Sequence, residues 1–321
     1  MYQEPEPMKN DLGRDSVANR PLLSIIITSY TTERLKDVFE LLDSIKNQTY
    51  KNIEVVFVAE RSKELYEKVR EYGEKIGLLM FNALFNYGEP GLSQARNLGI
   101  KHANGQIIAF ADDDVILTHN WAEELIATFN KNNDIVGVTG HALPLWEDYS
   151  LKWLPKELHW LISCTTWFDA PDLCEVRNVW GHNMAFRREV FEICGLFPMN
   201  SGYHRGLMAE DLYFSMLIRT KTGKKLVFNP RVKVLHKVNA HRNLWFVVDR
   251  AHWIGYSRRM LVNIFSNADK SILHTEHDLL KRTLTSTVLC LFKNPAKCLR
   301  VLPILVLALS SLALGYFIPR R

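Results

Sequence analysis

The stretch IIAFADDDVIL, residues Ile107 to Leu117, decides how this chain is read. Its apolar opening has the character of a buried strand, yet it runs straight into Asp112, Asp113 and Asp114. Adjacent carboxylates repel, so something must offset their proximity. In an extended segment side chains alternate, which puts Asp112 and Asp114 on one side and Asp113 on the other. Two carboxylates converging on one side form a hard-oxygen site for Mg²⁺ or Mn²⁺. Metals of this kind take phosphate oxygens, so the implied ligand is a nucleotide or another phosphate ester.

Outward from this stretch the chain alternates strand-like and helical patterns. LLSIIITSY (Leu22 to Tyr30) reads as a strand, and LKDVFELLDSIKNQ places Leu35, Val38, Phe39, Leu42 and Ile45 on one helical face. NIEVVFVAE is a second strand, and LSQARNLGIKHA a helix stopping near Asn104-Gly105, just before the strand that carries the aspartates. Such alternation predicts a parallel sheet covered by helices, with the acids at the carboxyl end of a central strand, where open α/β sheets bind ligands. Thr118 is the expected N-cap of the next helix, THNWAEELIATF, so the triplet is not needed as a cap. Further on, NMAFRREVFEICGLF predicts a strand and a helix closed by Gly195, and AEDLYFSMLIRTKTG a helix ending at Gly223. KKLVFNPRVKVLHKV reads as strands separated at Pro230. Residues 144–179 carry Trp, Leu, Pro155 and Pro171 in no assignable pattern.

The 321 residues, 47% hydrophobic and 23% charged, describe an ordinary folded chain. A net charge of +5 without a long basic block argues against nucleic acid as a partner. Five cysteines lacking C-x-x-C spacing read as small buried hydrophobes in a reducing compartment. Residues 1–20 have no apolar core of a signal peptide and read as a flexible tail. VLPILVLALSSLALGYFI, Val301 to Ile318, carries no charge and approaches the ~20 residues that cross a bilayer; a buried core helix is the other reading. The stronger basic flank lies before it, which predicts a single pass near the C-terminus with the main domain in the cytoplasm. NLWFVVDRAHWIGYSRRMLVNIF, Asn243 to Phe265, mixes Trp and Tyr with Arg, suited either to a helix at lipid headgroups or to one packed on the main domain.

Two chemistries explain D-x-D at a strand end. In phosphohydrolases of the haloacid dehalogenase type Asp112 would be a covalent nucleophile and Asp114 a general acid/base. In glycosyltransferases the motif holds a metal that neutralises a departing nucleotide diphosphate. The wider text separates them. LLSIIITSYTTER, GLSQARNLGIKHANGQIIAFADDDVIL, WGHNMAFRREVFEICGLF and AEDLYFSMLIRTKTGKKLVFNPRVKVLHK resemble, in order and spacing, the inverting family-2 glycosyltransferases from about Leu22 to His236.

That resemblance implies the GT-A fold, a Rossmann-like, mostly parallel mixed α/β sheet with helices on both faces, over 21–240. An amphipathic membrane-proximal region over 241–298 and a transmembrane helix over 299–319 would follow it. The implied donor is a nucleotide-sugar with Mg²⁺ or Mn²⁺. Its contacts fall on Thr28, Ser29, Tyr30, Glu33, Glu60, Arg96, Asp112 and Asp113, its metal on Asp112, Asp114 and His236, and the catalytic base on Asp211. Physical reasoning agrees for Asp211: an attacking hydroxyl must lose a proton, and a carboxylate in a helix first turn can take it. Trp180, His182, Asn183 and Glu210 are candidates for contact with the acceptor or donor sugar; turn packing is the alternative for the first three. Relatives commonly end the second strand with two aspartates and a glycine, whereas this chain has Ala59-Glu60-Arg61, which leaves the nucleotide base open with UDP favoured. No Q-x-x-R-W of processive synthases occurs, so transfer of one sugar is expected, to a polyprenyl-phosphate or lipid-linked acceptor at the membrane. A non-catalytic nucleotide-sugar binder is the remaining rival.

Overall fold

A computed structural model describes residues 20–198, 209–239, 241–265, 273–293 and 295–318; the expected tail over 1–20 lies almost wholly outside them. The elements in chain order are β1 (Leu23–Ser29), α1 (Leu35–Lys46), β2 (Ile53–Glu60), α2 (Lys63–Lys75), β3 (Phe81–Asn86), α3 (Leu92–His102), β4 (Ile107–Asp112) and β5 (Val115–Leu117). Then come α4 (Trp121–Phe129), β6 (Ile135–Trp146), β7 (Cys174–Glu175), β8 (Asn183–Arg187), α5 (Glu189–Cys194), α6 (Glu210–Thr222) and β9 (Lys225–Val238). Three helices close the chain, α7 (Leu244–Phe265), α8 (His274–Lys293) and α9 (Pro295–Phe317).

The strands form one sheet in the order β3-β2-β1-β4-β8-β6-β9-β5, with β7 on β9. β3, β2, β1 and β4 are parallel, and β8 pairs antiparallel to β4. β6 and β9 are again parallel, and the acid triplet follows the last strand of the parallel block β3-β2-β1-β4. The Ile-rich β1 is buried on both faces, as strands covered by helices on both sides must be. Its Ile25 and Ile27 face a core shared with Val38, Leu42 and Trp121, while Ile26 faces a second core with Val58, Phe186 and Phe214. The stops expected at Gly195 and Gly223 are present, with φ +83° and +66°, values that favour glycine.

Three local expectations are corrected. Thr118 does not cap α4: the N-cap position is Asn120, without a side-chain bond, and the Thr118 hydroxyl donates to the Lys233 carbonyl at 2.9 Å. β9 is one strand across Pro230, because its register with β6 shifts between Thr139/Phe228 and His141/Lys233 and the proline falls in that irregularity. The membrane span expected over 299–319 finds no support: among the described residues no helix is long and apolar enough to cross a membrane. α9 starts at Pro295 and contains Lys297 and Arg300, so its charge-free part begins only at Val301. One face of that part is committed to protein: Val301, Leu305 and Ala308 are buried, the latter two with Val247, Ala251 and Leu161. At Gly255 and Gly315 the crossing with α7 is so close that any Cβ would strike backbone of the other helix.

Candidate active site

The acid triplet is offset by arginines and a serine of this chain. Asp112 lies in register beside Thr28 of β1 and accepts from Arg96 at 3.3 Å. The chain then turns, so strict alternation ends at Asp112. Asp114 is 3% exposed and accepts from Arg34 at 2.7 Å and Arg242 at 2.8 Å through Oδ2. Burial alone would push its pKa up; the Arg242 and Arg34 guanidinium groups overcome that and hold it far below the carboxylate range. Asp113 points elsewhere, accepting from the Ser29 hydroxyl at 2.5 Å with Arg34 at 3.6 Å. Burial and the neighbouring Asp114 push Asp113 up to about 7.

Oxygens of Asp112 and Asp114 and a ring nitrogen of His236 all lie within 4.8 Å of one another. His236, on β9 opposite Val115, is fully buried, and its Nδ1 lies 3.2 Å from the Lys237 carbonyl, to which it can only donate. That fixes the tautomer and leaves Nε2 as a lone pair, without a hydrogen-bond partner and 3.4 Å from Asp114 Oδ1. Burial holds the imidazole pKa down to about 3, so the ring is neutral. Two lone pairs facing each other at that distance fit a divalent cation, and carboxylates with an imidazole suit Mn²⁺ or Mg²⁺. Such a cation, when bound, supplies positive charge to a diphosphate.

Arg96 links this region to the candidate base. It is 3% exposed, donates to Glu210 at 2.7 Å, to Asp112 and to the Gly181 carbonyl, and stacks its guanidinium near Phe110 and Phe197. Gly181 in turn donates its N–H to Asp211 Oδ2 at 2.9 Å, and Leu212 N–H donates to Oδ1 at 2.7 Å. Asp211 is thus oriented at the start of α6, while its neighbour Glu210 is buried and shifted upward by burial against the pull of Arg96.

Asp211, His182 and Trp180 line a cavity of about 550 Å³ that continues between α7, α8 and α9. His182 Nε2 is buried without a hydrogen-bond partner, and burial lowers its pKa to about 4. Other predicted residues are occupied differently. Asn183 is 1% exposed and fully engaged, accepting from Trp121 Nε1 and donating to the carbonyls of His141 and Val232. Glu60 accepts the Gly91 N–H at 2.7 Å and Asn86 at 3.3 Å through one oxygen, fastening the loop before α3 to the end of β2. Tyr30 and Glu33 lie exposed on the rim. Arg34 and Arg242 were not singled out in the sequence; Arg34 sits four residues beyond Tyr30 in a polar turn, and Arg242 carries no local signal at all.

A sheet whose parallel half ends at a strand tipped with metal-competent acids, beside an oriented carboxylate, defines a nucleotide-sugar-dependent transferase of the GT-A type. The sequence comparisons place it more narrowly. The description "Glycosyl transferase family 2" matches residues 24–194, and the chain belongs to that family. It is 28% identical over 249 residues to a glucosyl-dolichyl phosphate glucuronosyltransferase of Haloferax volcanii, covering 77% of this chain and 79% of that one. It is 34% identical over 140 residues to an uncharacterized glycosyltransferase of Rickettsia typhi, covering 43% and 42%. In fold it resembles the mannosyltransferase PcManGT of Pyrobaculum calidifontis, solved with GDP-Man and Mn²⁺, at TM-score 0.61 and 17% identity over 94% of this chain and 89% of that one. GalNAc-T7 with UDP, GalNAc and Mn²⁺ follows at TM-score 0.51 and 20% identity, covering 68% and 43%. The chain is a glycosyltransferase family 2 enzyme, which sets aside the phosphohydrolase and the non-catalytic binder.

Proposed function

We propose that this enzyme moves one sugar from a nucleoside-diphosphate sugar to a lipid-linked acceptor at a membrane surface, inverting the anomeric centre. The observation that carries the reading is the position of Asp211. Its carboxylate is fixed by two backbone N–H groups, is tied through Gly181 and Arg96 to Asp112, and opens on the cavity between the C-terminal helices. An acceptor hydroxyl in that cavity loses its proton to Asp211 as it attacks. Asp112, Asp114 and His236 would hold Mn²⁺ or Mg²⁺, which would supply positive charge to the departing diphosphate. Thr28, Ser29 and the rim residues Tyr30 and Glu33 flank the nucleotide, and uridine is the base we assign.

The lipid acceptor is supported by the Haloferax volcanii relative, whose name specifies a dolichyl phosphate-linked sugar. It is also supported by the outer surface of α8 and α9, where Leu284, Val288, Leu289, Phe292, Leu314 and Phe317 are exposed. An apolar surface of that kind with the exposed Lys281, Arg282 and Lys293 of α8 suits the anionic cytoplasmic leaflet. Asp211→Asn keeps the shape but not the basicity. Transfer should fall about 10²–10⁴-fold with nucleotide affinity unchanged; full turnover in this variant would remove Asp211 as the base.

A further inference from the structure

Deep in the cavity that Asp211 lines, two guanidinium groups converge on one carboxylate. Arg177, on the segment leading to β8, grips Glu276 of α8 with both terminal nitrogens, at 2.5 and 3.0 Å. Arg258 of α7 donates its Nε to the same carboxylate at 2.5 Å. The three side chains are 11%, 20% and 27% exposed, and Arg258 with Arg177 holds Glu276 down to about 2. The cavity wall changes character beyond them: Leu279, Leu280, Leu309 and Leu312 follow along α8 and α9. Leu280 and Phe317 line the same cavity and are both also exposed on the outer apolar surface. One continuous space thus joins an oriented carboxylate, an arginine-clamped oxyanion and an apolar channel that opens where a lipid would enter.

We infer that Arg177 and Arg258 form the receptor for the phosphate of a lipid phosphate acceptor, and that Glu276 is an internal stand-in for that phosphate which the substrate displaces. The inference rests on the lipid-acceptor reading of the same site and adds where the headgroup sits. A forked pair of guanidinium donors on two acceptor oxygens is the geometry that arginine offers equally to carboxylate and phosphate. Because Glu276 belongs to α8, its release also frees the helix that walls the channel, so the chain of the lipid can settle between α8 and α9. Monophosphate and glycosyl-phosphate lipids share this recognition; in the first the ionised phosphate oxygen is itself the nucleophile, and in the second a sugar hydroxyl attacks and gives its proton to Asp211.

The test compares full-length protein acting on lipid acceptors of equal chain length, namely a polyprenyl phosphate, a glycosylated polyprenyl phosphate and an alkyl glycoside without phosphate. Arg258→Ala should lower the ratio of kcat/KM for phosphorylated over unphosphorylated acceptor by at least about tenfold, with donor KM unchanged. Glu276→Gln should move the other way, lowering KM for the phosphorylated acceptors only, and it serves as the independent reading if Arg258→Ala does not fold. Whichever phosphorylated lipid shows the larger loss in Arg258→Ala is the natural headgroup. An equal effect of either variant on phosphorylated and unphosphorylated acceptors overturns the inference while leaving lipid transfer intact. Absence of transfer to every lipid by the wild type overturns the underlying reading instead.

Discussion

Replacing Arg96 by methionine keeps the length of the side chain and removes the cation on which Glu210 and Asp112 depend. Arg96 is 4% exposed at its side chain and Glu210 10%, so the pair is shielded from water. Left without a partner, Glu210 takes up a proton rather than remaining a buried anion. At pH 7 that protonation costs up to about 3 kcal/mol, from ~1.4 kcal/mol per unit over the gap between 7 and the ordinary glutamate value. Burial already shifts Glu210 upward in the wild type, so this is a ceiling. The sign follows from the raised folded value. The folded variant holds a proton that the unfolded chain releases above the normal range, so its stability falls as pH rises from about 4.5 toward 7. Arg96→Met should therefore unfold below wild type by up to about 6–12 °C at pH 7, and the gap should narrow to below about 1 kcal/mol by pH 5. Urea titrations of both proteins at the two pH values measure it. A deficit of equal size at both values would refute the argument that Arg96 works by neutralising Glu210.

The cation site predicts that chelation abolishes transfer and Mn²⁺ restores it, and that His236→Gln raises the Mn²⁺ concentration for half-activity by about 10-fold or more; an unchanged requirement would show that His236 Nε2 has another use. The α7–α9 crossing predicts that Gly255→Ala, whose Cβ meets the Leu312 carbonyl, costs about 1–3 kcal/mol in denaturant titrations because backbone cannot swing aside. An undiminished stability would mean that the helices are not in that contact.

What the sequence disclosed and what it hid follow from the range of the interactions. β1, α1, β2 and α3 were legible because each carries its own periodicity, and the two-sided burial of Ile25, Ile26 and Ile27 matches an unbroken apolar run. The metal-competent pair Asp112 and Asp114 was legible for the same reason: they are neighbours in the chain. The arginines that offset them were not, since Arg242 reaches Asp114 across 128 residues and nothing local marks it. Pro230 misled because a proline ordinarily ends a strand, and only the partner β6 reveals the register shift that accommodates it. The apolar run at Val301 looked like a span because hydropathy does not record which residues face a protein neighbour; Leu305 and Ala308 do. Asn183 looked chemical from its position between His182 and a strand, yet its amide is consumed by Trp121, His141 and Val232.

In the proposed reaction, nucleotide release is coupled to glycosylation of a lipid. The most direct measurement incubates the purified protein with Mn²⁺, a panel of UDP- and GDP-sugars, and vesicles containing polyprenyl phosphate or its glycosylated form, reading released nucleotide and lipid product in the same sample. Equal amounts of UDP and glycosylated lipid should form from one UDP-sugar, with inverted anomeric configuration, and Asp211→Asn should lower both about 10²–10⁴-fold with the glycosylated acceptor. Transfer to a soluble acceptor alone, or a lipid product of retained configuration, would contradict it.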